Sequence, residues 1–181
     1  MSKPGDESQA SETLLNLLLE LGEFVRRFRA NVQFRDLSRA HLELLRVELK
    51  GSQAECEWMA QAADKWDAGL PRAIAERNAS TQALRDALAV RELLFQVLPG
   101  LQSAALRVYR SGFGRKRELV ISGEVTREET APESVQSVAM RAKLLGLQFE
   151  MNEGILEELR QEVCEAHRER FGKSKGLEMA E

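Results

Sequence analysis

Apolar residues recur at three- and four-residue steps from Leu14 onward. Leu14, Leu17, Leu18, Leu21, Val25, Phe28 and Val32 form one row, and Leu15 and Leu19 widen it. This spacing predicts a helix with a broad apolar face, and a face that broad needs several neighbours to cover it. Arg26, Arg27 and Arg29 fall at its far end, where cations suit the helix dipole. Residues 1–12 are small, polar and charged and read as a disordered tail. A second helix is expected after Asp36, a plausible N-cap, with Leu37, Ala40, Leu44 and Val47 beside Leu42, Leu45 and Leu49. Cys56, Met59, Ala60, Ala63 and Trp66 extend the same kind of row past Gly51-Ser52. The Asp67–Pro71 segment is a stop that sets Pro71 in the first turn of another helix. That helix spans Arg72 to Leu98, with Ile74, Thr81, Leu88 and Phe95 in one row and Asn78 to Thr81 as a point where it could divide. Pro99-Gly100 ends it.

Beyond Pro99 the texture changes. Leu106, Val108 and Arg110 alternate with Arg107 and Tyr109, and Leu119, Ile121 and Val125 share one face of the run Glu118 to Thr126. Alternation of this kind is the mark of a half-buried strand. Two arrangements fit residues 101–110: one arm of a hairpin across Ser111 to Gly114, or a helix leading into a single strand. Thr130 and Glu133 have the spacing of a capping box and predict a helix that buries Val135, Val138, Ala142 and Leu145 and stops at Gly146. Leu147, Phe149 and Met151 then alternate as a short strand, Asn152 to Gly154 turns, and a last helix is expected from Ile155 to Phe171.

These elements define the expected fold: predominantly α, an N-terminal helical hairpin or bundle followed by a small α/β unit of order (β)-β-α-β-α. The boundaries are a disordered tail at 1–12, a helical bundle part at 13–100, the α/β part at 101–172 and a frayed tail at 173–181. If the two strands around the capped helix are parallel neighbours, their crossover should be right-handed. The strand Ile121 to Val125 and the helix after it resemble the small βαβ modules of ring-building and BON-type domains, a resemblance that implies a fold but assigns no site residue.

Composition supports helix and excludes several classes. Leu (26), Glu (24), Ala (21), Arg (19) and Lys (7) make up over half of the 181 residues, a helix-rich balance. Two Cys are too few for a disulfide scaffold. The net charge of −3 gives no bulk attraction for polyanions. The apolar run Leu14 to Leu21 is interrupted by Asn16 and Glu20 and is far short of the ~20 residues of a membrane span. The first residues contain no apolar stretch of the signal-peptide kind. A cytoplasmic protein with Cys56 and Cys164 reduced is therefore expected, of the bacterial, GC-rich type suggested by the Arg excess over Lys.

Candidate chemistry is sparse. Gly172-Lys173-Ser174 has His167 where a phosphate loop needs its first glycine. Gly112-Phe113-Gly114 has Arg117 where a dinucleotide motif needs its third. Cys164 and His167 share a helical face, but a structural zinc site wants four ligands, and only Cys56 and His41 could complete it. No residue set nominates a catalytic centre, a metal site, a cofactor or a small-molecule substrate. One segment departs from background. Residues 107–117 carry Arg107, Arg110, Arg115, Lys116 and Arg117 with no acid, interleaved with Tyr109 and Phe113. Such a strip can grip phosphate and stack bases. It can equally pair with the acidic residues that follow it. The expectation is a non-catalytic protein that binds a protein partner or itself, with nucleic-acid binding through residues 107–117 as the alternative.

Overall fold

The computed structural model describes residues 6–30, 42–62, 67, 69–112 and 116–159. Its described elements are α1 (Asp6–Ala30), β1 (Glu43–Lys50), β2 (Gln53–Met59), α2 (Arg72–Val97), β3 (Ser103–Ser111), β4 (Arg117–Thr126), α3 (Val138–Leu144), β5 (Leu147–Gln148), β6 (Met151–Asn152) and β7 (Ile155–Leu156). A five-stranded sheet of order β1-β2-β3-β4-β5 dominates, with β6 and β7 as a separate small hairpin. The expected helical bundle is therefore wrong, and so is the predominantly α class: the fold is mixed, with three described helices and a central sheet.

The largest correction falls on residues 43–59, expected as helix. They form an antiparallel hairpin in which Leu44 faces Trp58, Val47 faces Cys56 and Leu49 faces Ala54. Those six residues point to the core, while Arg46, Glu48, Lys50, Glu55 and Glu57 take the opposite face, as the two-residue period of a strand requires. Gly51 makes the tight turn at φ 61°, a left-handed conformation open to glycine. A bulge between Leu44 and Arg46 leaves Leu45 as an extra residue. It breaks the alternation and gives this stretch its helix-like spacing. Asp36, the expected N-cap, lies outside the described residues.

β2 and β3 are parallel, a pairing that needs a long crossover, and α2 supplies it. α2 runs unbroken through Asn78 to Thr81. Thr81 Oγ1 donates to the Arg77 carbonyl within the helix, and Ser80 Oγ accepts from the Leu156 amide of β7. These polar groups are satisfied in place and give the chain no reason to break. α2 buries Ala83, Leu84, Ala87, Val90, Leu93 and Leu94 among others. They join the sheet residues Ala54, Cys56, Trp58, Ala104, Leu106, Val108, Ile121 and Val125 in one core. That core takes residues from both sides of Pro99.

Residues 101–110, which two arrangements fitted, are strand: β3 and β4 form the antiparallel hairpin across Gly112 to Lys116. The helix expected from Thr130 starts later, at Val138, capped by Ser137, whose Oγ accepts from the Met140 amide. Residues 130–137 instead turn, with the Val135 amide bonded to the Pro132 carbonyl. Gly146 follows α3 at φ 86°, as the expected stop required. β4 and β5 then pair antiparallel, so no right-handed crossover joins them. Only Leu147-Gln148 extends the sheet. Met151-Asn152 turns back through Glu153-Gly154, both at positive φ, onto Ile155-Leu156. The last helix was expected from Ile155, but Ile155 and Leu156 are strand and residues 160–171 lie outside the described residues.

Two arginines seal the far end of α2. Arg91 donates to the carbonyls of Thr126 and Glu129, and Arg127 to those of Leu98 and Leu101. Their guanidinium carbons lie 5.2 Å from the Phe95 ring centre in both cases, a cation–π pairing that closes the loops over the core.

Gly123 lies in β4 against the backbone of Gly146 and Leu147, where a Cβ would collide with the Gly146 carbonyl oxygen and approach Leu147 Cα at 2.9 Å. Gly22 lies inside α1 with nothing within 4 Å of the equivalent point. Gly123→Ala should therefore destabilise by about 1–3 kcal/mol, whereas Gly22→Ala should stabilise by roughly 0.5–1 kcal/mol through helix propensity. Chemical denaturation of the two variants checks both signs.

Candidate interaction helix and the basic strip

Among the described residues, α1 is anchored through its later turns. Phe24 and Phe28 are 0% and 1% exposed. Phe28 meets Trp58 edge-on at 6.3 Å between ring centres and Phe24 at 5.8 Å. Leu21 and Val25 pack partly against the same core. One turn earlier the covering stops. Leu14, Leu15, Leu18 and Leu19 are 56–64% exposed and Leu17 is 38% exposed. These five leucines, with Leu21, cover about 200° of the helix circumference at ~100° per residue. The breadth read from the sequence is real, but among the described side chains the core covers Leu21 to Phe28 and leaves Leu14 to Leu19 exposed.

The anchored half is stiffened by charge. Glu23 accepts hydrogen bonds from both Arg26, at 2.7 and 2.6 Å, and Arg27, at 2.6 Å. These two guanidinium partners hold its carboxyl at about 2, well below the usual carboxylate range. Arg27 and Arg29 also lie in the last turn, where the dipole favours them.

The basic strip is divided by the hairpin. Arg107 lies on the polar face of the sheet and donates to Glu57 at 2.7 Å, with Glu55 at 3.8 Å. Tyr109 shares that face and is half-buried. Arg110 lies on the other face, where it donates to Glu118 at 2.9 Å and to the Leu156 carbonyl at 2.5 Å. Lys116 pairs with Glu158 at 3.0 Å. Arg117 is exposed at the start of β4. Phe113 and Arg115 lie outside the described residues. Two of the strip's partners, Glu118 and Glu158, come from the acidic region after it, and Arg107 turns to β2.

The polar face of the sheet continues as a ladder. Arg46 pairs with Glu48 and approaches Glu55 at 3.8 Å, and Lys50 bridges Glu48 at 3.5 Å and Glu55 at 3.0 Å. Cross-strand charges of opposite sign support the pairing of edge strand β1 and make it a poor template for another chain. Sequence reasoning missed this ladder because it placed β1 and β2 in a helix. The signal was the strict Ala54-Glu55-Cys56-Glu57-Trp58 alternation.

Among the described residues, Cys56 and Asp86 are absorbed by the fold. Cys56 is fully buried, and burial pushes its thiol far above its ordinary value. Asp86 is buried on α2 and accepts from Gln82 at 2.9 Å. Among the described residues no three His, Cys, Asp or Glu side chains converge to hold a metal. The pair Cys164 and His167, together with His41 and the Gly172-Lys173-Ser174 stretch, lies outside them. No described helix is long and apolar enough to cross a membrane. No known protein family, curated protein or solved structure matches the chain.

Two measurements follow from these environments. The Glu23 carboxyl should titrate near 2 by NMR. Its folded value is depressed, so its contribution to α1 is intact above the usual carboxylate range and fades only as pH falls towards 2. In a Cys164→Ser background, Cys56 should resist thiol reagents in the native state and label only as the chain unfolds.

Proposed function

We propose that this chain is a non-catalytic cytoplasmic interaction protein whose docking element is the Leu14–Leu19 face of α1. One observation carries the reading: five leucines crowd an exposed segment of a helix whose next turns are buried to 0–1% at Phe24 and Phe28. Scattered surface leucines are ordinary, but a contiguous group on one element marks a contact surface. Anchoring by the two phenylalanines holds the face in place before any partner arrives, which lowers the ordering cost of binding. The burial of Cys56 and the internal pairing of Glu55, Glu57, Glu118 and Asp86 support a non-catalytic role. An unpaired buried thiol suits a reducing compartment.

Nucleic-acid binding through residues 107–117 is the weaker reading. Arg107, Arg110 and Lys116 each have a carboxylate partner. Arg107 and Arg110 also point to opposite faces of the sheet, so one ligand cannot meet both without breaking these pairs.

Replacing Leu14, Leu15, Leu18 and Leu19 together by Gln tests the main reading. Exposed substitutions should change stability by no more than about 1 kcal/mol, leaving the near-ultraviolet signal of buried Trp58 intact. Association with any partner, and binding of an apolar reporter dye, should be lost. Unchanged association and dye binding in the folded variant would overturn it.

A further inference from the structure

We propose that the partner of the α1 leucine face is an anionic lipid surface, on which α1 lies in the plane of the interface with Leu14, Leu15, Leu18 and Leu19 inserted and Arg26 and Arg29 among the headgroups. The proposal rests on α1 being the interaction helix and names what that helix meets.

The distribution of side chains round α1 carries the choice. At ~100° per residue, Leu14, Leu15, Leu18 and Leu19 span about 140° of the circumference, and Gly22, Arg26 and Arg29 fall inside the same sector. No acid between Thr13 and Arg29 lies there. Thr13, Asn16, Glu20, Glu23 and Arg27 gather on the opposite side of the helix. The residues that meet the core, Leu21, Phe24, Val25 and Phe28, are centred about 100° round from the four leucines. The α/β body therefore stands beside the inserted face and does not block it. Leu17, the least exposed of the five leucines, lies on the body's side.

Breadth and residue type point the same way. A facing helix covers a stripe of roughly 100°. A helix ~10 Å across that sinks about 5 Å into a lipid interface buries half of its circumference. The exposed apolar side chains of this segment are all leucine. Anchors of protein contacts are chiefly Trp, Tyr and Arg, with leucine under-represented, whereas an apolar leucine face with neighbouring arginines is the pattern of interfacial helices.

Charge sets the class of lipid. The chain carries −3 overall, so attraction to an anionic surface must be local. Arg26 keeps a 69% exposed side chain while it donates to Glu23, and Arg29 is exposed in the last turn. Glu23 is one carboxylate shared by Arg26 and Arg27, so this end of the helix keeps a positive balance.

Flotation of the full-length chain with lipid vesicles tests this, with the Trp58 signal recorded for every variant. The wild type should float with vesicles of phosphatidylglycerol and phosphatidylcholine in equal parts, and bind pure phosphatidylcholine about tenfold more weakly. Added salt should weaken the anionic binding. Leu15→Gln with Leu19→Gln should abolish binding to both vesicle types in a folded chain. Arg26→Gln with Arg29→Gln should lower binding to the anionic vesicles on the order of tenfold and leave phosphatidylcholine binding unchanged. A wild type that floats with neither vesicle, or binding that survives in the folded leucine variant, overturns the proposal. Equal binding to both vesicle types overturns the anionic preference. If the wild type does not float but takes up an apolar dye or a protein, a second copy included, through Leu14–Leu19, the lipid partner falls and the interaction helix stands. If it binds none of these, both readings fall.

Discussion

The parallel pairing of β2 with β3 constrains everything else in this molecule. Parallel neighbours cannot be joined by a tight turn, and the connection must travel the length of the sheet and return. α2 makes that journey and lies over the apolar face formed by Ala54, Cys56, Trp58, Ala104, Leu106 and Val108. It is covered on so many sides that twelve of its residues are buried, the polar Ser80 and Asp86 among them. Their presence explains why α2 carries hydrogen bonds to β7 and within its own turns: a buried hydroxyl or carboxylate without a partner would cost more than the packing returns.

α1 packs against α2 and β1 through its later turns. They set Phe28 edge-on to Trp58 and Phe24 tilted against Phe28, aromatic contacts that add to area burial. A 25-residue helix is about 37 Å long at 1.5 Å per residue, and of its described side chains those from Leu21 to Phe28 pack on the core while Leu14 to Leu19 do not. The turns left exposed are the ones richest in leucine. Chain chemistry and chain geometry disagree at that point, and the disagreement locates the surface on which function is proposed.

How much of this was legible in the sequence depended on whether one periodicity acted alone. α1 and α2 were readable because their leucines and alanines recur at helical spacing over many turns. β4 was readable because Leu119, Ile121 and Val125 alternate. The β1–β2 hairpin was hidden for physical reasons. The bulge at Leu45 sets two leucines side by side and mimics a helical row, and Ala and Glu on β2 are weak strand formers on their own. Their strand conformation comes from pairing with β1 and β3, a long-range effect that local spacing does not carry. α3 was misplaced by a similar competition, with Ser137 winning the cap over Thr130. In the basic strip, the charges were plain but their partners were not. Glu57 lies fifty residues from Arg107, and only the sheet register brings them together.

The same register bears on which surface is free to act. On the polar face of the sheet, Arg46, Lys50 and Arg107 are matched by Glu48, Glu55 and Glu57. A partner seeking charge there must first compete with pairs already formed in the same molecule, at close range and with little entropy to lose. On α1 the exposed leucines are set against solvent, and water gives up apolar surface at a gain of about 25 cal/mol per Å². The two surfaces thus differ in what remains unsatisfied. One is a closed set of ion pairs. The other is an apolar face on an anchored helix. Such a face gains by meeting another apolar surface, whereas a matched ladder offers no comparable gain to a newcomer.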